Sequence, residues 1–273
     1  MNYLKATLLK SNKCIVLIAS IIILNACDRV FEFSPYEARV NKKYENTTAK
    51  NLQLIKSLQS ESDYFKFAFI TDTHFFFTNL SNVINDINKN EDISFVVFGG
   101  DITDQGLLKE YELFYNIAEK LEKPYLTVIG NHDYRSNGGV IYERMFGDYN
   151  YSFEFNRSMF VLFDDVVWES YKNPDFIWLS KRLSKRAKYN HLFVIAHIPP
   201  FSDQFDDDME QRYKTLMQEN NVSMSIHGHT HSYLYEKIYD DKVNYLVAPT
   251  IKQPAYCIIS VDEKSFDVEL IEL

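Results

Sequence analysis

The sequence predicts an α/β domain, on three observations. From residue 64 onward, short apolar runs rich in Val, Ile and Phe alternate with segments of helical periodicity. Five of the apolar runs stop at polar clusters: Asp72-Thr73-His74, Gly99-Gly100-Asp101, Gly130-Asn131-His132-Asp133, Ala196-His197 and Gly228-His229-Thr230-His231. The chain has 273 residues, 46% of them hydrophobic and 15% aromatic, enough for one large core. No internal repeat, low-complexity tract or second domain boundary interrupts the pattern.

The elements follow in order. Leu52, Ile55 and Leu58 share one face over residues 49–60, a short amphipathic helix docked on the domain edge. Strands at 65–70, 93–98 and 124–129 are separated by helices near 79–89 and 106–120. Such a βαβαβ run implies parallel strands. Tyr151-Ser152-Phe153-Glu154-Phe155 alternates, Asn156-Arg157 can turn, and 159–163 is apolar, which makes an antiparallel hairpin. A helix at 175–187 precedes a buried strand at 191–196, and a helix at 209–219 precedes a strand at 222–226. The tail reads as four short strands, at 232–238, 243–248, 255–261 and 265–271.

The N-terminus reads as an export signal. Lys5, Lys10 and Lys13 precede an apolar stretch at 14–24 that is short for a membrane span. Leu24-Asn25-Ala26-Cys27 then resembles the cleavage box of bacterial lipoproteins, although Asn25 departs from the usual small apolar residue there. On this reading residues 1–26 are a signal peptide, Cys27 is lipidated, and 27–60 are a tether ending in the short helix. The domain occupies 61–273 on the cell-envelope side of a membrane, its periplasmic or cell-surface face. An uncleaved anchor and ordinary secretion are the alternatives. Cleavage would move the net charge from −9 to −12, because only lysines are lost. That charge excludes an undirected nucleic-acid binder, which carries basic stripes. It does not exclude an anionic substrate, since bound cations dominate a local field. Cys257 is the one cysteine left in the mature chain and reads as an inert buried thiol.

The clusters hold carboxylates, imidazoles and one amide, but no thiolate. Mixed nitrogen and oxygen ligation suits a transition metal such as Mn, Fe, Co, Ni or Zn and disfavours a structural zinc. Asp72, His74, Asp101, Asn131, His197, His229 and His231 are too many ligands for one ion. Two ions sharing a carboxylate would use them, and would clamp both oxygens of an in-line displacement. Open α/β sheets gather such loops beyond the carboxyl ends of their strands. No serine or cysteine in these clusters is placed as a covalent nucleophile.

In order and type the clusters resemble those of the calcineurin-like metallophosphoesterases, over about residues 64–250. Gly99 to Gly106 and His197-Ile198-Pro199-Pro200 extend the likeness beyond the ligands. The resemblance implies a β-sandwich of two packed mixed sheets flanked by helices, in four α/β/β/α layers. It implies two divalent or mixed-valence ions, of Mn, Fe or Zn, and hydrolysis of a small phosphoester by metal-activated water. Asp72, His74 and His231 would bind the first ion, Asn131, His197 and His229 the second, and Asp101 would bridge them. His132 would stand over the phosphate, with Asp133 orienting its imidazole. The purple acid phosphatases carry a tyrosine where this chain has Asp104, so an iron–tyrosinate pair is not expected. The Gly100–Gly106 stretch looks closer to the phosphodiesterase branches, with phosphomonoesterase the alternative. A catalytically silent binding module is the reading from another class.

Several residues outside the clusters also carry expectations. Phe75-Phe76-Phe77 reads either as core under the loop or as an aromatic wall beside the site. Asp206-Asp207-Asp208 reads as the cap of the following helix. His227 is expected buried and neutral, His191 on the surface, and Trp178 in the core.

Overall fold

The computed structural model describes Ser34 and residues 37–60, 62–239 and 242–273. The expected signal peptide, Cys27 and most of the tether lie outside the described residues. Ala38–Leu273 form one compact unit, so the folded part begins before the expected boundary at 61. Tyr44, Thr47, Thr48 and Asn51 are all buried in it.

In chain order the elements are α1 (Thr47–Ser57), β1 (Phe65–Ile70), α2 (Phe77–Lys89), β2 (Ile93–Phe98), α3 (Leu108–Ala118) and β3 (Tyr125–Thr127). Then come α4 (Asn131–Tyr134), α5 (Gly138–Phe146), β4 (Tyr151–Phe155), β5 (Ser158–Phe163), α6 (Phe176–Leu183) and β6 (His191–Ala196). The rest are α7 (Asp207–Glu219), β7 (Met224–His227), β8 (Leu234–Glu236), β9 (Asn244–Val247), β10 (Ala255–Val261) and β11 (Phe266–Glu272). One sheet runs β11-β10-β1-β2-β3, the other β4-β5-β6-β7-β9-β8. Within the first, β1, β2 and β3 are parallel; within the second, β5, β6, β7 and β9 are parallel. Antiparallel strands complete both, so each sheet is mixed, as expected.

Side-chain alternation assigns the layers. Phe65, Phe67 and Phe69 face the space between the sheets, where they meet Phe95, Phe160 and Phe193. Phe67 stacks on Phe95 at 5.3 Å and meets Phe160 edge-on at 5.3 Å. Ala68 and Ile70 point the other way, under Leu80, Ile84, Tyr111 and Phe114 of α2 and α3. Val161 and Val194 face Leu179, Leu183 and Tyr213 of α6 and α7 on the far side. Each fully buried side chain of this kind contributes roughly 1.5–3 kcal/mol of transfer free energy. The result is the α/β/β/α sandwich, with an inter-sheet core that is almost wholly aromatic and aliphatic.

The structure departs from the sequence expectation in four places. On α1, Ile55 is buried as expected, but Leu58 is exposed, because the buried face turns through Thr47, Thr48 and Asn51. Helix α5 was not expected. His191 is buried rather than on the surface: its Nε2 pairs with the Asp262 carbonyl at 2.8 Å and Phe266 covers its ring. Trp178 is only half-buried, stacked on Phe163 with Arg182 over its other face. Three further expectations hold: Cys257 and His227 are buried, and Asp206 caps α7 by accepting from the Met209 N–H at 2.8 Å.

Candidate metal centre

The five clusters follow β1, β2, β3, β6 and β7, whose parallel directions bring their carboxyl ends to one edge of the sandwich. Asp72, His74, Asp101 and Asn131 come from the first sheet, and His197, His229 and His231 from the second. Local backbone geometry turns these side chains inward. Asp72, His74, Asp101, His229 and His231 all have positive φ, between 42° and 70°. Asp and His tolerate this left-handed region better than most residues, at a cost of order 1–3 kcal/mol each. Gly228 permits the closest approach: a Cβ there would meet Thr71 Oγ1 at 2.0 Å and Asp72 Oδ2 at 2.5 Å.

The site resolves into two groups around Asp101. In the first, His231 Nε2 lies 3.1 Å from Asp72 Oδ1 and 3.4 Å from His74 Nε2. In the second, His197 Nε2 lies 3.3 Å from Asp101 Oδ2, and His229 Nδ1 lies 3.1 Å from Asn131 Oδ1. Asp101 Oδ2 also lies 3.9 Å from His74 Nε2, so one carboxylate oxygen faces both groups. All seven candidate ligands are thus brought together.

Neighbours fix how each ligand is presented. Asp72 Oδ2 accepts from Thr71 Oγ1 at 2.8 Å and from the His229 N–H at 3.0 Å, which leaves Oδ1 for the site. Asp101 Oδ1 accepts from the His132 N–H at 2.8 Å, which leaves Oδ2. His197 Nδ1 donates to the Gly99 carbonyl at 2.8 Å, so the Nε2 lone pair faces inward. Asn131 Nδ2 donates to Glu169 Oε1 at 2.9 Å, which turns the amide oxygen toward His229.

These residues fit cations. Asp72 Oδ1 and His197 Nε2 are buried without a hydrogen bond of acceptable geometry, although potential partners lie 3.1 and 3.3 Å away. Buried polar atoms are seldom left so. Ligand atoms each about 2.1 Å from a shared ion stand roughly 3–3.5 Å apart, which is the spacing seen. The charges agree. Burial pushes the Asp101 carboxyl up, but the His197, His132 and His74 imidazoles outweigh it and hold it low. Burial pushes His197 down, yet Asp101 and then Asp72 reverse this and raise it. Burial lowers His74 and His229, which keeps their ring nitrogens free as ligands. The Asp72 carboxylate beside it raises His231.

One sequence expectation is corrected here. Asp133 does not orient the His132 ring. Its oxygens accept from the Ile102, Thr103 and Gly130 N–H groups and from Thr103 Oγ1, at 2.7–3.2 Å, so it ties two loops together. Burial, and then the Asp101 charge, push its carboxyl up to about 7 against those donors. His132 Nδ1 pairs instead with the Asp104 carbonyl at 2.8 Å, and its Nε2 stands 4.0 Å from Asp101 Oδ2. Asp104 itself was passed over as a participant: its Oδ1 lies 3.7 Å from His74 Nδ1 and 3.6 Å from His132 Nδ1. Glu169 was missed as well, and no local pattern announces it. Phe75 is exposed beside His74 and Phe76 is half-buried against the core, so the Phe triplet serves both readings.

The comparisons with known proteins agree with this geometry. A family profile, calcineurin-like phosphoesterase, matches residues 65–233. A probable glycerophosphodiester phosphodiesterase of Arcobacter nitrofigilis is 31% identical over 130 residues, which is 42% of this chain and 45% of that relative. The chain therefore spans less than half the length of this curated relative. A purple acid phosphatase from yellow lupin superposes with a TM-score of 0.61 at 17% identity, covering 77% of this chain and 52% of that one. A dimetal phosphatase from Danio rerio gives 0.60 at 13% identity, covering 76% and 96%. At such identities these two structures speak for the fold alone. With five candidate-ligand loops at one sandwich edge and a profile spanning most of the domain, the chain belongs to the calcineurin-like phosphoesterase family.

Proposed function

We propose that the chain hydrolyses phosphodiesters at a dinuclear centre, with Asp72, His74 and His231 on one ion, Asn131, His197 and His229 on the other, and Asp101 between them. The observation that carries this reading is the position of Asp101 Oδ2, which faces both groups. Two ions held by these residues would lower the pKa of water and neutralise phosphoryl charge. The chain's own residues do the rest. Asp72 and Asp101 place fixed negative charge against the cations, and the backbone N–H groups that hold their outer oxygens keep them from swinging away. His132 is part-exposed, and its Nδ1–H is committed to a backbone carbonyl, so only Nε2 can reach a substrate. As the imidazolium it donates a proton to the leaving oxygen or bonds a phosphoryl oxygen.

The diester preference rests on the Gly100–Gly106 stretch and on the name of the Arcobacter relative. The full chain, loaded with Mn²⁺, is expected to bind two ions by metal analysis and to prefer bis(p-nitrophenyl) phosphate over p-nitrophenyl phosphate. A folded, metal-replete chain holding one ion, or inert to both esters, overturns the reading.

We also propose that Cys27 is lipidated and tethers the domain at the cell envelope. Support comes from the Leu24-Asn25-Ala26-Cys27 box after an apolar stretch. Among the described residues no helix is long and apolar enough to cross a membrane. Cys27→Ser is expected to abolish labelling by a fatty-acid analogue and to release the protein from membranes. Retention of either overturns this proposal.

A further inference from the structure

Exposed aromatic side chains stand close in sequence to residues of the metal centre. Among the described residues, Tyr64, Phe75, Trp168, Tyr171 and Tyr233 are the exposed large aromatics. Four of the five stand within two residues of the site: Phe75 after His74, Tyr233 beyond His231, and Trp168 and Tyr171 on either side of Glu169, which holds Asn131. Leaving such rings in water forgoes burial that folding elsewhere exploits, so a cluster of them marks a surface that something covers.

Three of these aromatics line two separate clefts, one reached by the candidate ligand His231 and one formed by residues that flank Glu169, which holds Asn131. The first holds about 510 Å³ and is lined by His231, Tyr233, Thr250, Lys252 and Gln253. Its floor is pinned to the centre, because Thr250 Oγ1 donates to the Asp72 carbonyl at 2.9 Å and Asn79 Nδ2 holds the Ile251 and Lys252 carbonyls at 3.0 Å. The second holds about 430 Å³ and is lined by Val167, Trp168, Tyr171 and Lys172. It is pinned too: Glu169 reaches Asn131, and Ser170 Oγ closes the turn onto the Val166 carbonyl at 2.5 Å. Tyr171 is 93% exposed with φ at 56°, a backbone conformation that bulky residues rarely adopt. That strain is spent on holding a ring out in solvent beside the site. Each cleft also contributes one lysine, Lys172 in the second and Lys252, with Glu272 on the same lining, in the first.

From these two clefts we infer that the substrate is a phosphodiester with two sizeable flat or apolar arms, one seated against Tyr233 and Lys252 and the other against Trp168 and Tyr171. A monoester has one arm and leaves one cleft unused. A diester straddling the two groups uses both, with its phosphorus over Asp101. This rests on the hydrolytic reading above and adds the substrate class to it.

The test uses three esters on the metal-loaded full chain. Bis(p-nitrophenyl) phosphate has two aromatic arms, methyl p-nitrophenyl phosphate one aromatic and one small arm, and p-nitrophenyl phosphate one arm. Trp168→Ala and Tyr233→Ala are surface changes, and unaltered melting temperatures check the fold. Each variant is expected to raise KM for the bis ester on the order of tenfold, the scale of one lost aromatic stack, with kcat nearly constant. Only one of the two is expected to raise KM for the methyl ester or for the monoester. Wild-type KM for the bis ester in both variants, or equal losses on all three esters, overturns the inference. Calorimetric titration of diphenyl phosphate keeps the test independent of turnover. Weaker binding in both variants with no turnover by wild type would reject the hydrolytic reading while keeping the clefts, and equal binding by all three proteins rejects the clefts.

Discussion

Glu169 offers the sharpest test of how the centre is built. Its Oε1 accepts from Asn131 Nδ2 at 2.9 Å, and Gln204 Nε2 approaches its other oxygen at 3.4 Å. An amide can present either its oxygen or its NH2 to the site, and only the oxygen ligates a cation. A hydrogen bond to a charged acceptor is worth about 1.5–3 kcal/mol, and Glu169 is partly solvated, so the lower half of that range applies. At about 1.4 kcal/mol per decade, Glu169→Leu is expected to weaken the second ion roughly 10- to 40-fold, within the usual range for outer-shell changes. The first ion, held by Asp72, His74 and His231, is expected to keep its affinity. Glu169→Gln keeps an acceptor oxygen in place and should recover most of the loss. Stepwise calorimetric titration of Mn²⁺ into the metal-free full chain measures both affinities without reference to turnover. Two ions bound by Glu169→Leu with wild-type affinities, or both weakened equally, would refute the claim that this contact orients Asn131.

Further outcomes follow from the same geometry. Asp101→Asn keeps the shape but removes the charge shared by both groups; it is expected to abolish hydrolysis of diester and monoester alike, and robust turnover would refute the bridging role. Gly228→Ala forces a methyl within 2.0 Å of Thr71 Oγ1 and 2.5 Å of Asp72 Oδ2, so it should cost about 1–3 kcal/mol in denaturant unfolding and weaken the first ion. Burial lowers the His191 pKa below its ordinary 6.5, so the unfolded state binds the extra proton in that window. His191 therefore takes nothing from stability above about pH 6.5 and subtracts from it as the pH falls from there toward the folded value. The urea midpoint of His191→Gln should drop less than that of wild type between pH 7.5 and 5, and parallel drops would show that His191 does not titrate on unfolding.

Strand boundaries were legible where the chain declares them locally. Over 65–70 and 93–98 a run that is apolar but for Lys66 and Ser94 meets a polar cluster, and the observed β1 and β2 match residue for residue. Helix α5 was not legible, because Gly138-Gly139 reads as a turn. Its stability comes from Ile141, Tyr142, Met145 and Phe146 packing into the core of the first sheet, which outweighs poor intrinsic propensity. His191 looked exposed because an imidazole opens its strand; the ring that covers it, Phe266, arrives from far along the chain.

The seven candidate ligand positions were written in the sequence, because a metal demands particular atoms and a strand must deliver them at its end. The tertiary structure decided how those atoms are held. The Asp133 hydrogen bonds, the pairing of His132 with the Asp104 carbonyl, the Glu169 grip on Asn131 and the Thr250 bond to the Asp72 carbonyl join segments about 30 to 180 residues apart. Local periodicity reports which way a side chain points along its own element. It carries no information about which distant backbone group will lie within 3 Å, since that distance is set only when the two sheets pack and their loops meet.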